Sequence, residues 1–184
     1  PPQSLKTIIG VDQADEAGRF FLDTKRHSLE LTFVKNTNKL ARQGILVLSY
    51  SLNELQEIPP WLFEYDDLIL IEPSTKQAAE SFQKMRSLLL TKEFNILAPC
   101  PHSQKCPLQV SSKDWCHDRV YWQQPEWFRN IEKNLPIKNA SLTFSYLIAS
   151  KKTVNDSQYT RVVGDAQIEK GKTRWMICRN EERE

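Results

Sequence analysis

Apolar segments of strand length alternate with segments of helical spacing along the first half of the chain. The segment LKTIIGVD predicts a strand that ends at Asp12, and the dozen residues after it have the spacing of a helix. The segment LELTFV predicts another strand, and the continuously apolar GILVLSYSL predicts one that is buried on both faces. The segment DDLILIEP predicts a further buried strand before a long helix, which has an apolar face and is capped by Ser74 or Thr75. Because strands that alternate with helices form parallel sheets covered by those helices, the sequence predicts an α/β fold.

The chain changes character near Asn95, where a segment rich in proline and cysteine begins. We predict an α/β domain over residues 1–98 and a cysteine-rich appendage over residues 99–184, which also contributes the last strands of the sheet. The formal net charge of +2 neither requires nor excludes a polyanionic partner. No apolar run approaches the roughly 20 residues of a membrane span, so no membrane partner is expected.

Polar side chains lie where two of the predicted strands end. Asp12 follows the first strand, and Ser49 and Asn53 lie at the end of the strand over GILVLSYSL. Ligands of open parallel sheets bind beyond the carboxyl ends of the strands, where an acidic residue can bind a ribose. These three residues are therefore candidate cofactor-binding residues. Helix capping by Asp12 and Asn53 is the alternative, and the chain has no Gly-x-Gly-x-x-Gly loop for a nucleotide.

Three of the four cysteines lie close together in the proline-rich segment. Cys100, Cys106 and Cys116 have five and nine residues between them, and Cys178 follows after a further sixty-one. Four thiols match one tetrahedral metal ion or one cubane cluster. Zinc sites usually have paired Cys-x-x-Cys motifs, which this chain lacks, whereas a proline after a ligand cysteine is typical of iron–sulfur proteins. The four cysteines are therefore candidate metal ligands.

Two disulfides or four unrelated buried thiols are the alternatives for these cysteines. Disulfides need an oxidising compartment, and scattered core cysteines do not cluster in a polar loop. His102 and His117 flank cysteines and are alternative ligands. We expect them instead to donate hydrogen bonds to sulfur or carbonyl groups around the metal site.

Several segments of the chain resemble one protein family. The segments LAPCPH, KCPL, DWCH, FSYLIASK and RVV…KGK…C resemble signature segments of the methyltransferase-like small-ribosomal-subunit assembly family of bacteria and mitochondria. The strand ends SYSLNEL and LILIEPST resemble the same family, and the similarity extends from about Ile45 to Cys178. The chain departs from the family pattern at NASLT, before FSYL, and at RNEERE, after Cys178.

The resemblance implies a class I S-adenosylmethionine methyltransferase fold, which is Rossmann-like, with a 4Fe-4S cluster. Carried over to this chain, the cluster ligands are Cys100, Cys106, Cys116 and Cys178. The family's first strand and glycine loop have no counterpart here, so the sheet is expected to lack its first strand. We expect an upstream segment of the same protein, or another segment, to complete the sheet, and S-adenosylmethionine to be a cofactor of the full-length protein.

The resemblance predicts an assembly or maturation factor that binds the small ribosomal subunit and its rRNA, with the cluster as a structural element. The expected compartment is a bacterial cytoplasm or the mitochondrial matrix. Three alternatives remain open: an active S-adenosylmethionine-dependent rRNA methyltransferase, a four-cysteine zinc module that binds nucleic acid, and a redox sensor. Whether the chain is an enzyme is left open, and no catalytic residue is assigned.

Basic residues in the last third of the chain are candidates for contact with RNA phosphates. They are Lys151, Lys152, Arg161, Lys170, Lys172, Arg174 and Arg179. Acidic residues are scattered among them, so a solvated basic face is the alternative interpretation.

Overall fold

The computed structural model describes residues 5–24, 29–55, 57–110, 115–136, 139–153, 159–179 and 182–183. The chain divides into two compact units, Pro1–Arg42 and Gln43–Glu184. The sequence-based boundary at residue 98 lies inside the second unit and stays a prediction. None of the described helices is long and apolar enough to cross a membrane.

The first unit is a strand–helix–strand motif. β1 (Thr7–Val11) and β2 (Glu30–Val34) pair in parallel, and α1 (Asp15–Asp23) lies between them in the chain. Gly18 lets α1 approach β2 closely, since a Cβ at this residue would lie 2.4 Å from the Phe33 ring. The predicted strands and helix are confirmed, and their parallel pairing is the arrangement from which α/β sheets are built.

The second unit contains a five-stranded sheet. Its strands are β3 (Ile45–Ser49), β4 (Asp67–Pro73), β5 (Asn95–Ala98), β6 (Asp118–Tyr121) and β7 (Ser141–Ser150). The strand order is β3-β4-β7-β5, and β6 pairs with the amino-terminal part of β7. β3 and β4 are parallel, but β7 runs antiparallel to β4, β5 and β6. The sheet is therefore mixed rather than parallel throughout, because β7 enters between two strands from the opposite direction.

The described second unit also contains two α-helices and a three-stranded sheet. α2 (Lys76–Thr91) follows β4, and α3 (Glu126–Glu132) lies between β6 and β7 in the chain. β8 (Arg161–Glu169), β9 (Lys172–Arg179) and the short β10 (Glu182–Arg183) form the antiparallel three-stranded sheet.

The pairing of β8 with β9 shifts register within β8. The shift lies between Val163 and Gln167, and Gly164 within it has a left-handed φ of 76°. Glycine adopts this conformation without a side-chain clash, so it permits a bulge inside the strand. The strand that begins at Arg161 therefore continues beyond Gly164 to Glu169.

The core of the second unit lies between α2 and one face of the five-stranded sheet. Burial alternates along β4, where Leu68 and Leu70 are fully buried, and Leu89 of α2 is fully buried against them in the same cluster. Thr75 caps α2, because its Oγ1 accepts a hydrogen bond from Ala78 N at 3.2 Å. The predicted capped helix with an apolar stripe is therefore confirmed.

β3 is an edge strand among the described strands of this sheet, since it pairs with β4 alone. Leu46 and Leu48 pack against the core, whereas Ile45 is 58% exposed and Val47 is 53% exposed. The prediction that this strand is buried on both faces is therefore wrong, because the face with Ile45 and Val47 stays open to solvent. The expectation that another segment completes the sheet stays a prediction.

Candidate metal centre

The four cysteines come from separate parts of the second unit. Cys100 follows β5, Cys106 precedes a 3₁₀ turn, and Cys116 precedes β6. Cys178 lies on β9, directly opposite Arg161 of β8. All four are free thiols, so the structure does not contain the two disulfides that the sequence left open.

The fold brings the four thiols close enough to interact electrostatically. The thiol of Cys178 interacts with each of the other three. The thiol of Cys100 also interacts with those of Cys106 and Cys116. Among the described residues, however, no three His, Cys, Asp or Glu side chains are arranged to hold a metal ion. The predicted ligands are thus gathered in one region without being set at ligand distances.

Burial is the largest influence on the pKa values of the Cys100, Cys116 and Cys178 thiols. It raises the pKa of Cys100, Cys116 and Cys178, and neighbouring thiols raise the pKa further. The positive charge of Arg86 lowers the pKa of Cys100, and that of Arg161 lowers the pKa of Cys116. A thiol with a raised pKa stays protonated at neutral pH, so metal binding at this group would release protons.

Arg86 of α2 fixes the loop that contains Cys100 and Cys106. The residue is 3% exposed, and its Nη2 donates hydrogen bonds to the carbonyl oxygens of His102 and Gln104, both at 2.7 Å. The guanidinium also interacts with the Cys100 thiol. A buried cation is costly unless negative charge lies close, so Arg86 favours the thiolate form of the neighbouring sulfur.

Arg161 of β8 contacts a second thiol directly. Its Nη1 lies 3.0 Å from Cys116 Sγ, and its Nη2 donates to Asp118 Oδ1 at 2.8 Å. Burial acts to lower the pKa of Arg161, but Cys116 and Asp118 outweigh burial and raise the pKa, so the guanidinium keeps its charge. The side chain is only 14% exposed. The prediction that Arg161 contacts RNA is therefore wrong, because its guanidinium is committed to Cys116 and Asp118.

Tyr146 of β7 joins the same group through Asp118. Burial raises the pKa of Tyr146, and the charge of Asp118 and a hydrogen bond to its carboxylate raise that pKa further. Cys116 is held to β7 as well, since its carbonyl oxygen accepts a hydrogen bond from Ser145 Oγ at 2.9 Å. Side chains of β7 and β8 therefore fix both the backbone and the sulfur of Cys116.

The donor set fits a metal ion or cluster bound by four thiolates. Thiolate sulfur is a preferred ligand of zinc and of iron–sulfur clusters, and four thiolates leave either group with a net negative charge. Arg86 and Arg161 supply positive charge beside two of the four sulfurs. His117 Nδ1 lies 3.3 Å from the carbonyl oxygen of Trp115, and a supporting role for this ring at a metal site stays a prediction. A role for the ring of His102 stays a prediction.

The predicted cofactor-binding residues are divided between the two units. In the first unit, Asp12 follows β1, and its Oδ1 accepts a hydrogen bond from Ala14 N at 2.8 Å, just before α1. In the second unit, Ser49 ends β3 and Asn53 lies in the 3₁₀ turn Leu52–Glu54. Asp12 does not cap α1, because the N-cap residue is Ala14 and no side chain caps this helix, so the carboxylate forms a turn before the helix instead. A cofactor role for these residues stays a prediction.

Glu72, at the carboxyl end of β4, joins that end of the strand to the turn after β3. The residue is 1% exposed. Its Oε1 accepts a hydrogen bond from Leu52 N at 2.7 Å, and its Oε2 accepts one from Asn53 Nδ2 at 2.6 Å. A glutamate within the apolar pattern of DDLILIEP is the sequence signal that could have identified it. Glu72 therefore fixes the orientation of the Asn53 amide.

Most of the other candidate RNA-contacting residues form ion pairs on the surface. Lys151 lies 3.6 Å from Asp66, and Lys152 lies 2.8 Å from Asp67. Asp66 is 72% exposed and Lys152 is 73% exposed, so both pairs are accessible for exchange with another anion. Arg179 donates instead to a hydroxyl, with Nε 3.2 Å from the Oγ1 atom of its neighbour Thr160.

The remaining three candidates lie on the hairpin of β8 and β9. Glu169 pairs with Lys172 at 3.2 Å and with Arg174 at 3.0 Å. Lys170 is exposed in the turn, and Trp175, on β9, is 54% exposed. This hairpin thus combines basic side chains with an accessible aromatic ring.

The fold and the site define a mixed α/β protein in which four free thiols lie in one region with two arginines, the buried Arg86 and the largely buried Arg161. The chain belongs to the family described as mitochondrial small ribosomal subunit Rsm22, whose family model matches residues 12–184. A comparison with curated proteins finds no match. Membership in this family supports the predicted relation to the small ribosomal subunit and, of the two predicted compartments, the mitochondrial one.

Proposed function

We propose that the chain is an assembly or maturation factor of the mitochondrial small ribosomal subunit, which binds rRNA and carries a structural metal centre in the mitochondrial matrix. The ligands of that centre are Cys100, Cys106, Cys116 and Cys178. The observation that supports this proposal best is the convergence of four free thiols beside two arginines in a member of a small ribosomal subunit family. A 4Fe-4S cluster is the favoured occupant, and zinc is the alternative.

The proposed centre is a cross-link within the second unit. It would join the loop after β5 and the residues before β6 to β9, which carries Cys178. When bound, the cluster or metal ion supplies a rigid anionic junction between ligands that are distant in sequence. Arg86 and Ser145 hold the cysteine loop and the Cys116 backbone in place for it. When the metal is lost, the three-stranded sheet should therefore loosen first, and the core between α2 and the five-stranded sheet should loosen later.

A class I methyltransferase-like fold is the second part of the proposal. It is supported by two parallel strand pairs, β1 with β2 and β3 with β4, and by polar side chains at their carboxyl ends. Glu72 already binds the amide nitrogen of Asn53, which leaves the amide oxygen for a ligand. S-adenosylmethionine binding by the full-length protein, measured by calorimetry, separates the alternative of an active methyltransferase from a binding protein.

We assign the RNA-binding surface to the hairpin of β8 and β9. Apart from Arg161, the hairpin has four positive charges, on Lys170, Lys172, Arg174 and Arg179, against the two negative charges of Asp165 and Glu169. Phosphate groups attract such a surface, and an exposed ring such as that of Trp175 can stack on an unpaired base. The weak pairs with Glu169 would exchange for phosphate contacts on binding.

Binding of small-subunit rRNA fragments at several salt concentrations tests this assignment. The double variant Lys170→Gln, Lys172→Gln should bind more weakly. The slope of its log affinity against log salt concentration should fall by an amount that corresponds to roughly one to two phosphate contacts. Lys84→Gln, which changes an exposed lysine of α2, is the matched control. Unchanged binding by the double variant would refute the hairpin assignment, and a wild-type protein without rRNA affinity would refute the proposed function.

A further inference from the structure

Arg86 and Arg161 approach the thiol group from two directions. Arg86 comes from α2 and interacts with Cys100, at the start of the cysteine loop. Arg161 comes from β8, with Nη1 3.0 Å from Cys116 Sγ, and faces Cys178 across the β8–β9 pair. The two guanidiniums therefore interact with different ligands of the proposed centre.

The arginines differ in how their charge is balanced. Arg161 has a carboxylate partner in Asp118, with the two groups 2.8 Å apart. Arg86 bonds the carbonyl oxygens of His102 and Gln104, and in the described part of the chain its Nε has no hydrogen-bond partner. Carbonyl groups carry no net charge, so they do not balance the positive charge of Arg86. A thiolate at Cys100 is the anion that would balance it.

A centre bound by four thiolates would provide that anion. Four thiolates with one zinc ion, or with an oxidised 4Fe-4S core, carry a net charge of about −2. Two guanidiniums beside the sulfurs would offset this charge, and an N–H···S hydrogen bond such as that of Arg161 is one of the factors that set the potential of a cluster.

We propose that Arg86 and Arg161 are the positioning residues that stabilise a dianionic tetrathiolate centre on this chain, by charge at Cys100 and by a direct N–H···S contact at Cys116. This inference rests on the proposed metal centre and adds the groups that retain the metal. Neutral replacements of either arginine should weaken metal retention, and lysine should restore part of it because it restores the charge. In the iron–sulfur case, the neutral variants should also have a more negative reduction potential, since the more highly charged reduced state loses its counter-charge.

The test compares the rate at which a chelator removes metal from the purified full chain. Arg161→Met and Arg86→Met should release metal about 10- to 100-fold faster than the wild type, if the loss of metal affinity typical of groups that support metal ligands lies in the release step. Arg161→Lys and Arg86→Lys should release it at intermediate rates. Arg179→Met is the matched control, since this exposed arginine follows Cys178 directly and bonds only Thr160 among the described residues.

The outcomes separate this inference from the proposed centre. If the wild type holds no metal, both proposals fail. If metal depends on the cysteines but the Met variants retain it as the wild type does, the arginine inference alone is overturned. If the Lys variants lose metal as fast as the Met variants, charge is not the basis of retention and the inference also fails. Should Arg86→Met not fold, as judged by circular dichroism, Arg161→Met decides the test, because its side chain is nearer the surface.

Discussion

Replacement of Glu72 by alanine should destabilise the second unit strongly. Glu72 is 1% exposed, and its carboxylate accepts two short hydrogen bonds, at 2.7 Å from Leu52 N and at 2.6 Å from Asn53 Nδ2. A hydrogen bond to a charged group contributes about 1.5–3 kcal/mol. Two such bonds would give about 3–6 kcal/mol, but removal of a buried charge also relieves its desolvation. We therefore expect a loss near the lower end, about 3 kcal/mol in the free energy of unfolding.

Urea unfolding followed by tryptophan fluorescence measures this loss in the right part of the molecule. All five tryptophans lie after residue 60, so the signal reports on the second unit. With a slope of about 2 kcal/mol per molar urea, the midpoint should fall by about 1.5 M. Glu80→Gln is the control, because Glu80 is exposed and its pair with Lys76, at 3.9 Å, should contribute little. If the Glu72→Ala midpoint equals that of the control, the two hydrogen bonds to the buried Glu72 carboxylate do not stabilise the second unit as proposed.

Two further stability predictions concern single contacts. Hydrogen bonds from Lys152 and then from Ser150 lower the pKa of Asp67 in the folded state, so this carboxylate stabilises the fold above about pH 4 and the stabilisation is lost as the pH falls below it. Asp67→Asn should therefore lower the urea midpoint at pH 7 and leave it unchanged near pH 2; a difference that persists in acid would contradict the linkage. Thr75→Ala removes the cap of α2 and should cost about 1 kcal/mol in urea unfolding, whereas Thr91→Ala at the other end should cost less. Equal costs at both ends would argue against capping.

Periodicity explains why most elements of the fold could be predicted. α2 has an apolar stripe and begins after a threonine, so the sequence identifies both its buried face and its cap. Strand direction is different, because the alternation in SLTFSYLIAS is the same whether a strand runs parallel or antiparallel to its neighbour. The insertion of β7 between β4 and β5 therefore could not be read from the pattern.

Exposure of β3 has a similar explanation. An apolar run such as GILVLSYSL is typical of a strand buried on both faces, but only its neighbours decide whether both faces are covered. In the second unit Leu46 and Leu48 pack against the apolar core, and the face with Ile45 and Val47 stays accessible.

The sequence predicts the sulfur ligands of the candidate site but not the arginines beside them. The spacing of the cysteines identifies a set of four thiols, yet composition cannot distinguish a buried arginine from an exposed one. From the sequence alone, Arg161 is one of several basic residues expected on the surface. The β8–β9 pairing shows that it lies opposite Cys178. Arg86 does leave a signal, since it lies on the apolar stripe of α2, four residues after Phe82 and three before Leu89. An arginine at such a position indicates a buried partner.

The central claim is that four sulfur atoms, three of them close in sequence and one distant, bind a single inorganic centre. Metal and sulfide analysis of anaerobically purified protein tests it most directly when the wild type is compared with Cys178→Ser and with Ser103→Ala, an exposed serine in the cysteine loop. The account predicts about four iron and four sulfide atoms per chain, or about one zinc atom, in the wild type and in Ser103→Ala. It predicts a large loss in Cys178→Ser, and full metal content in that variant would contradict the claim.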